Sequence, residues 1–219
     1  MRTPAHRQII PVARPAVELR QFEIGPYANF TYLVDDGEGG PAAVIDPSFG
    51  VEPVLEAIDD RRLKVAYILN THSHQDHWAG NVDVKERTGA QVVAHRLAPL
   101  GQDISVGEGD SFHAGGLRFQ VLHTPGHTPD SVLYIFDGHA ATGDTLFVGE
   151  CGRTDLPGGD PGALYDSLFS KVVKLDDATV VLPGHDYGIT PTSTIGREKA
   201  ESYILKPRTK AEFIRFLQE

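Results

Sequence analysis

The run Thr71-His72-Ser73-His74-Gln75-Asp76-His77 packs four metal-competent side chains into six positions. Imidazole and carboxylate are good donors for zinc, iron and manganese. Four such groups this close in sequence cannot all reach one ion without strain. On a turn they split, His72 and His74 aimed one way, Asp76 and His77 the other. Two ions about 3.5–4 Å apart would satisfy that split. The bland alternative is a polar loop whose histidines cap a helix. Against it stands the cost of clustering these groups without a cation: desolvation, and repulsion whenever an imidazole is protonated.

Three later segments add donors of the same kind. Thr124-Pro125-Gly126-His127-Thr128 sets a histidine on a Pro-Gly turn, Thr142-Gly143-Asp144-Thr145 sets an acid after an apolar run, and Leu182-Pro183-Gly184-His185 repeats the Pro-Gly-His arrangement. Each is weak alone. Together with the cluster they form a set of strand-end donors, the arrangement by which a rigid sheet fixes a metal site. Five of the ten histidines fall in these motifs. His6, His95, His113, His123 and His139 read as surface or satisfied core residues. Asp46, in Val44-Ile45-Asp46-Pro47, reads as a turn-capping residue before proline. Trp78 reads as a core aromatic or a shield over the cluster. Cys151 has no legible base beside it.

These side chains need strands that end at one place. Alternation predicts strands at 17–24, 29–34 and 42–45, and a buried apolar strand at 65–69 that runs directly into the cluster. Further strands are expected at 91–94, 117–122, 132–136, 139–142 and 179–182. Helices are expected at 51–58, 80–87, 163–175, 194–205 and 210–217. Strands in runs with helices between some of them predict a layered α/β or α+β domain, sheet packed on sheet with helices outside. The length of 219 residues fits one domain, 1–219, with helices at about 194–219 as a short appendage.

The chain carries a formal charge of −10 and no basic stripe, which argues against nucleic acid as a partner. A single cysteine rules out an intrachain disulfide and a cysteine-built zinc site. No window approaches the roughly 18 apolar residues of a membrane span, and the first residues lack a signal-peptide pattern. The expected location is cytoplasmic, with no membrane partner.

The order His-x-His-x-Asp-His, Gly-His, Gly-Asp, Gly-His resembles the metallo-β-lactamase superfamily, from about residue 17 to about 205. Cys151-Gly152-Arg153-Thr154-Asp155 and His185-Asp186-Tyr187 resemble two of its branches, glyoxalase II-like hydrolases and persulfide dioxygenases. The resemblance implies an αββα sandwich, two central sheets flanked by helices. It also implies two divalent ions, zinc, iron or manganese. One would be held by His72, His74 and His127, the other by Asp76, His77 and His185, with Asp144 bridging and Asp46 orienting a donor histidine. The implied reaction is cleavage of an acyl bond by a metal-bound hydroxide. The first choice of substrate is a small thioester of the acylglutathione type, with Asp76 also moving the proton and Arg153 and Tyr187 as candidate substrate contacts. The same resemblance implies an alternative, a single Fe(II) on His72, His127 and Asp144 oxidising a glutathione persulfide. A lactonase and a non-catalytic metal-binding protein are further alternatives. Glyoxalase II carries a longer helical C-terminal segment with basic residues that hold glutathione; here the stretch after His185 has room for only short helices, with Lys206, Arg208 and Lys210 among its basic residues.

Overall fold

A computed structural model of the chain describes residues 17–37 and 39–218; His6 and Glu38 lie outside the described residues. Two six-stranded sheets pack face to face with helices on both outer surfaces, an αββα sandwich. The first sheet is formed by β1 (Glu18–Ile24), β2 (Asn29–Asp35), β3 (Pro41–Ile45), β4 (Lys64–Leu69), β5 (Gln91–His95) and β6 (Ile104–Val106), neighbours in that order. The second holds β7 (Ser111–Ala114), β8 (Leu117–His123), β9 (Val132–Phe136), β10 (His139–Gly143), β11 (Val180–Pro183) and β12 (Ser193–Thr194), again in sequence order.

Period-two alternation decides which side chains meet. Phe30, Tyr32 and Val34 of β2 face the inter-sheet core with Val132, Tyr134 and Phe136 of β9. Their neighbours turn outward. Leu33 meets Val54 and Ile58 of helix α1 (Glu52–Arg61) and Val84 of α2 (Asn81–Thr88). Leu133 meets Leu164 and Leu168 of α3 (Pro161–Ser170), where Ile195 of α4 (Ile195–Glu201) and Phe213 of α5 (Lys210–Phe216) also bury.

Two expected helices are shorter than their apolar spacing suggests. The stripe at 163–175 is not one helix: α3 ends at Ser170, Lys171 leaves helical geometry at φ −125°, ψ −63°, and a separate 3-10 turn covers Val172–Lys174. Val172 still reaches the core, so the periodicity survives the break. The helix expected over 194–205 stops at Glu201 because Ser202 turns to extended backbone, and Ile204 and Leu205 bury from an irregular segment. Three short strands, β6, β7 and β12, had no sequence signal.

The strands that lead to the donors run in parallel pairs, except β8 before His127, which pairs antiparallel with β7 and β9. β3, β4 and β5 are parallel to one another, as are β10 and β11. Their C-terminal ends therefore gather at one edge of the sandwich, where the chain leaves them at Asp46, Asn70, Asp144 and Gly184. Hydrogen bonds between the sheets lock that edge: Phe30 N–H donates to the Gly184 carbonyl at 2.8 Å, and Val132 N–H to the Thr71 carbonyl at 2.8 Å. Among the described residues no helix is long and apolar enough to cross a membrane.

Candidate metal centre

Leaving β4, the chain passes His72 and enters a 3-10 turn over Gln75–His77. The turn divides the cluster. His72 Nε2 stands 3.1 Å from His74 Nδ1, which stands 2.9 Å from His127 Nε2. On the other side, His77 Nε2 lies 3.2 Å from His185 Nε2, and Asp76 Oδ2 lies 3.5 Å from both. Asp144 sits between the groups, Oδ1 3.3 Å from His77 and Oδ2 3.4 Å from both His127 and His185. All seven donors thus meet in two adjacent sets.

The glycines before His127 and His185 have steric reasons. A Cβ on Gly126 (φ +146°) would come within 2.4 Å of Leu164 Cα, where this turn packs on α3. A Cβ on Gly184 would come within 2.4 Å of Asp144 Oδ1.

Hydrogen bonds behind the rings set which nitrogen is bare. His77 Nδ1 donates to Asp46 Oδ2 at 3.0 Å, His185 Nδ1 to the Tyr27 carbonyl at 2.9 Å, and His127 Nδ1 to the Arg153 carbonyl at 2.7 Å. The Thr71 hydroxyl donates to Asp46 Oδ2 at 2.6 Å, so toward His72 Nδ1, 3.1 Å away, it can only accept. Each of these four rings therefore turns an unprotonated Nε2 inward when neutral. Asp46 adopts a left-handed backbone (φ +48°) and also accepts the Thr71 N–H at 2.7 Å. Asn29 Nδ2 donates to Asp76 Oδ2 at 2.8 Å.

This donor set fits a cation. Nitrogens sharing an ion at about 2.1 Å stand roughly 3.0–3.4 Å apart, close to the spacings here. Asp144 Oδ1 is buried with no hydrogen-bond donor. His72, His74 and His127 form one candidate group, Asp76, His77 and His185 another, and Asp144 joins His72 and His77 in a third.

The electrostatics agree. Burial holds the His72 imidazole well below its ordinary value, and lowers His74 less strongly. Burial acts the same way on His77, but the carboxylates of Asp144, Asp46 and Asp76 outweigh it and carry that ring up to about 9. Burial disfavours ionised Asp144, yet the surrounding histidines hold it well below the usual carboxylate range. Without a cation, His77 thus keeps a proton at neutral pH. Its folded value lies above its ordinary 6.5. Its contribution to stability of the metal-free fold is therefore complete below pH 6.5 and lost as pH rises through 9. Binding of a divalent ion at pH 7.5 is expected to release at least one proton per chain, from His77, since against the effect of burial the Asp144 carboxylate raises His185 as well. Calorimetry in buffers of different ionisation enthalpy measures this; an ion that binds without releasing a proton contradicts the assignment.

The centre opens on a cleft of about 810 Å³. Tyr27, Phe49, Leu156 and Tyr187 line it and are at least a third exposed, so its rim is apolar. Tyr187 stacks on His185 with ring centroids 4.7 Å apart. Arg153 lines the cleft, but its guanidinium is paired with Asp155 at 2.6 Å. Cys151 also lines it, and burial pushes the thiol up to about 12, so it is not a thiolate at neutral pH. Trp78 is half-buried and ties the cluster loop by donating to the Ser73 carbonyl at 3.1 Å. Elsewhere His95 is buried and stacks on His123. The sequence reading missed Asn29, Phe49, Phe147 and the carbonyls of Tyr27 and Arg153; residue type alone carries no signal for them.

Comparison with known proteins places this geometry. The metallo-beta-lactamase superfamily matches residues 24–185. The mitochondrial persulfide dioxygenase ETHE1 of Homo sapiens is 34% identical over 87% of this chain and 75% of its own length. A hydroxyacylglutathione hydrolase of Rhodospirillum rubrum is 42% identical over 73% of this chain; the matched part is 62% of that hydrolase. The crystal structure of ETHE1 from Myxococcus xanthus superposes with a TM-score of 0.87 at 35% identity, covering 92% of this chain and 90% of that one. With a match over most of its length and a fold shared almost end to end with a solved relative, the chain belongs to the metallo-beta-lactamase superfamily.

Proposed function

We propose that this chain is a metal-dependent hydrolase that binds two divalent ions and cleaves the acyl bond of a small thioester of the acylglutathione type. The observation that carries this is the second donor set: Asp76, His77 and His185 are as closely grouped as the first three histidines. Bound divalent ions would supply Lewis acidity and bring the pKa of a water toward neutrality. His72, His74 and His127 would hold one ion, Asp76, His77 and His185 the other, and Asp144 would bridge. Asp46, Thr71 and the Tyr27 and Arg153 carbonyls keep the inward nitrogens bare. Asp76 is also the proton acceptor, since its side chain is 17% exposed to the cleft against 9% for Asp144. The apolar rim and Tyr187 take the body of the substrate and limit water around it. Arg153 meets a substrate carboxylate if it leaves Asp155. The whole chain acts as one domain, in keeping with the core that α3 shares with the C-terminal helices.

A second reading has its own support. The persulfide dioxygenase relatives match this chain over a larger share of both partners than the hydrolases do. In that reading His72, His127 and Asp144 would hold a single Fe(II), and the substrate would be glutathione persulfide. The test uses protein purified without added metal, analysed for metal and assayed with an acylglutathione and with glutathione persulfide on an oxygen electrode. The expected result is two ions per chain and thioester cleavage with no oxygen uptake. Stoichiometric oxygen uptake with the persulfide, and no thioester cleavage by the same iron-loaded sample, overturns the hydrolase.

A further inference from the structure

Asn29 is buried at the mouth of the inter-sheet core, at the first position of β2. Its amide Nδ2 donates twice to one residue, to Asp76 Oδ2 at 2.8 Å and to the Asp76 carbonyl at 3.3 Å. The opposite amide orientation would set Oδ1 against two acceptors, so the donor must face Asp76. Oδ2 is also the oxygen that lies 3.5 Å from both His77 and His185. An ionised carboxylate oxygen has two lone pairs. One taken by the amide leaves the other directed at the two rings.

The same short segment holds the other side of that donor set. Asn29 forms an isolated bridge with His185, Phe30 N–H donates to the Gly184 carbonyl at 2.8 Å, and Asp186 N–H donates to the Ala28 carbonyl at 2.8 Å. The Tyr27 carbonyl takes the His185 Nδ1 proton. The Tyr27–Phe30 segment therefore grips Asp76 through a side chain and His185 through backbone. Nothing comparable runs from it to His72, His74 or His127, whose outer partners are Thr71 and the Arg153 carbonyl.

We infer that Asn29 is a positioning residue that sets the affinity of the second donor set for its ion, leaving the first set unaffected. The inference rests on the two-ion reading above. Because Asn29 acts through Asp76, losing it should alter one binding step of two.

The test is stepwise titration of metal-free protein with Co(II), followed by its visible absorption bands, for wild type, Asn29→Leu and Asn29→Ala. Leucine keeps the branched outline of asparagine and removes both N–H donors, and alanine does so without adding bulk. The expected result for each variant is a second dissociation constant raised about 10–100-fold with the first changed less than about threefold, the scale of losing an outer hydrogen bond to a metal-bound carboxylate. The bands of the second Co(II) should shift. A merely structural role would weaken both steps together and lower the melting temperature, and that outcome overturns the inference. So does an unchanged or tightened second constant. A wild type that takes up only one Co(II) sinks the two-ion reading and the inference with it; two ions in wild type and unaltered constants in both variants sink the inference alone.

Discussion

Asp144→Asn is expected to strip the centre of metal and lower turnover by at least about a thousandfold, the scale set by loss of a preorganised charge at the reacting atoms. Both carboxylate oxygens face imidazoles: Oδ1 lies 3.3 Å from His77 Nε2, and Oδ2 lies 3.4 Å from His127 and His185. An amide there turns one acceptor into a donor, aimed at nitrogens whose lone pairs should meet a cation. It also removes the negative charge that offsets two divalent ions in a buried place. The variant should fold, because asparagine keeps the shape of aspartate at this position, although it gives up the charge that faces His77. The same change withdraws one of three carboxylates that raise His77, so the metal-free variant should lose its stability at a lower pH than the parent. Elemental analysis beside a far-ultraviolet spectrum decides the matter. Full metal content and full turnover in a folded Asp144→Asn protein would remove Asp144 from the centre.

How much of this was legible beforehand follows from what a pattern can carry. The strand at 132–136 was read to the residue, and β4 was read to its last residue, because alternation and apolar runs are local properties. The short strands β6, β7 and β12 are two to four residues long, too short for a period to register. The break at Lys171 was invisible for the opposite reason: Leu164, Leu168 and Val172 keep helical spacing and share one core cluster whether or not the backbone between them stays helical. Burial pattern reports the face, and a 3-10 turn presents nearly the same face.

The centre divides along a similar line. Its seven candidate donors are side chains whose chemistry is unusual enough to count, so type and spacing single them out as candidates, and the structure groups them. Its outer partners are carbonyls and common polar groups. Tyr27 and Arg153 act through backbone oxygen, which every residue has, and their roles arise only because the turn between β1 and β2 and the 144–154 loop are brought against the two Gly-His turns. Asn29 lies 47 residues from Asp76 in sequence. Asp46 was open between turn cap and orienting group, and the structure displays both features: a left-handed residue before proline that accepts from Thr71 and from His77. A group can hold a turn and a ring at once, because a carboxylate has acceptor sites to spare.

His185→Ala and Asp76→Ala are expected to leave one ion per chain and to lower thioester cleavage about a thousandfold, if removing the second ion removes comparable charge stabilisation from the reacting acyl group. The two variants attack the same donor set from opposite sides. His185 reaches it from the end of β11, its ring stacked on Tyr187 and edge-on to Phe147 at 5.8 Å. Asp76 reaches it from the 3-10 turn and shares no ring contact with them. A fault in the aromatic rim would appear in the first variant and spare the second, so a loss common to both locates the effect in the ion, and any excess in Asp76→Ala reports its proton-accepting role. His72, His74 and His127 keep their own partners in each variant, and the first ion should stay. The outcome to set against this is retained turnover with oxygen consumed in step with a persulfide. Asp76 and His185 would then be dispensable for chemistry, the working site would reduce to His72, His127 and Asp144, and the dioxygenase reading would replace the hydrolase on the same fold.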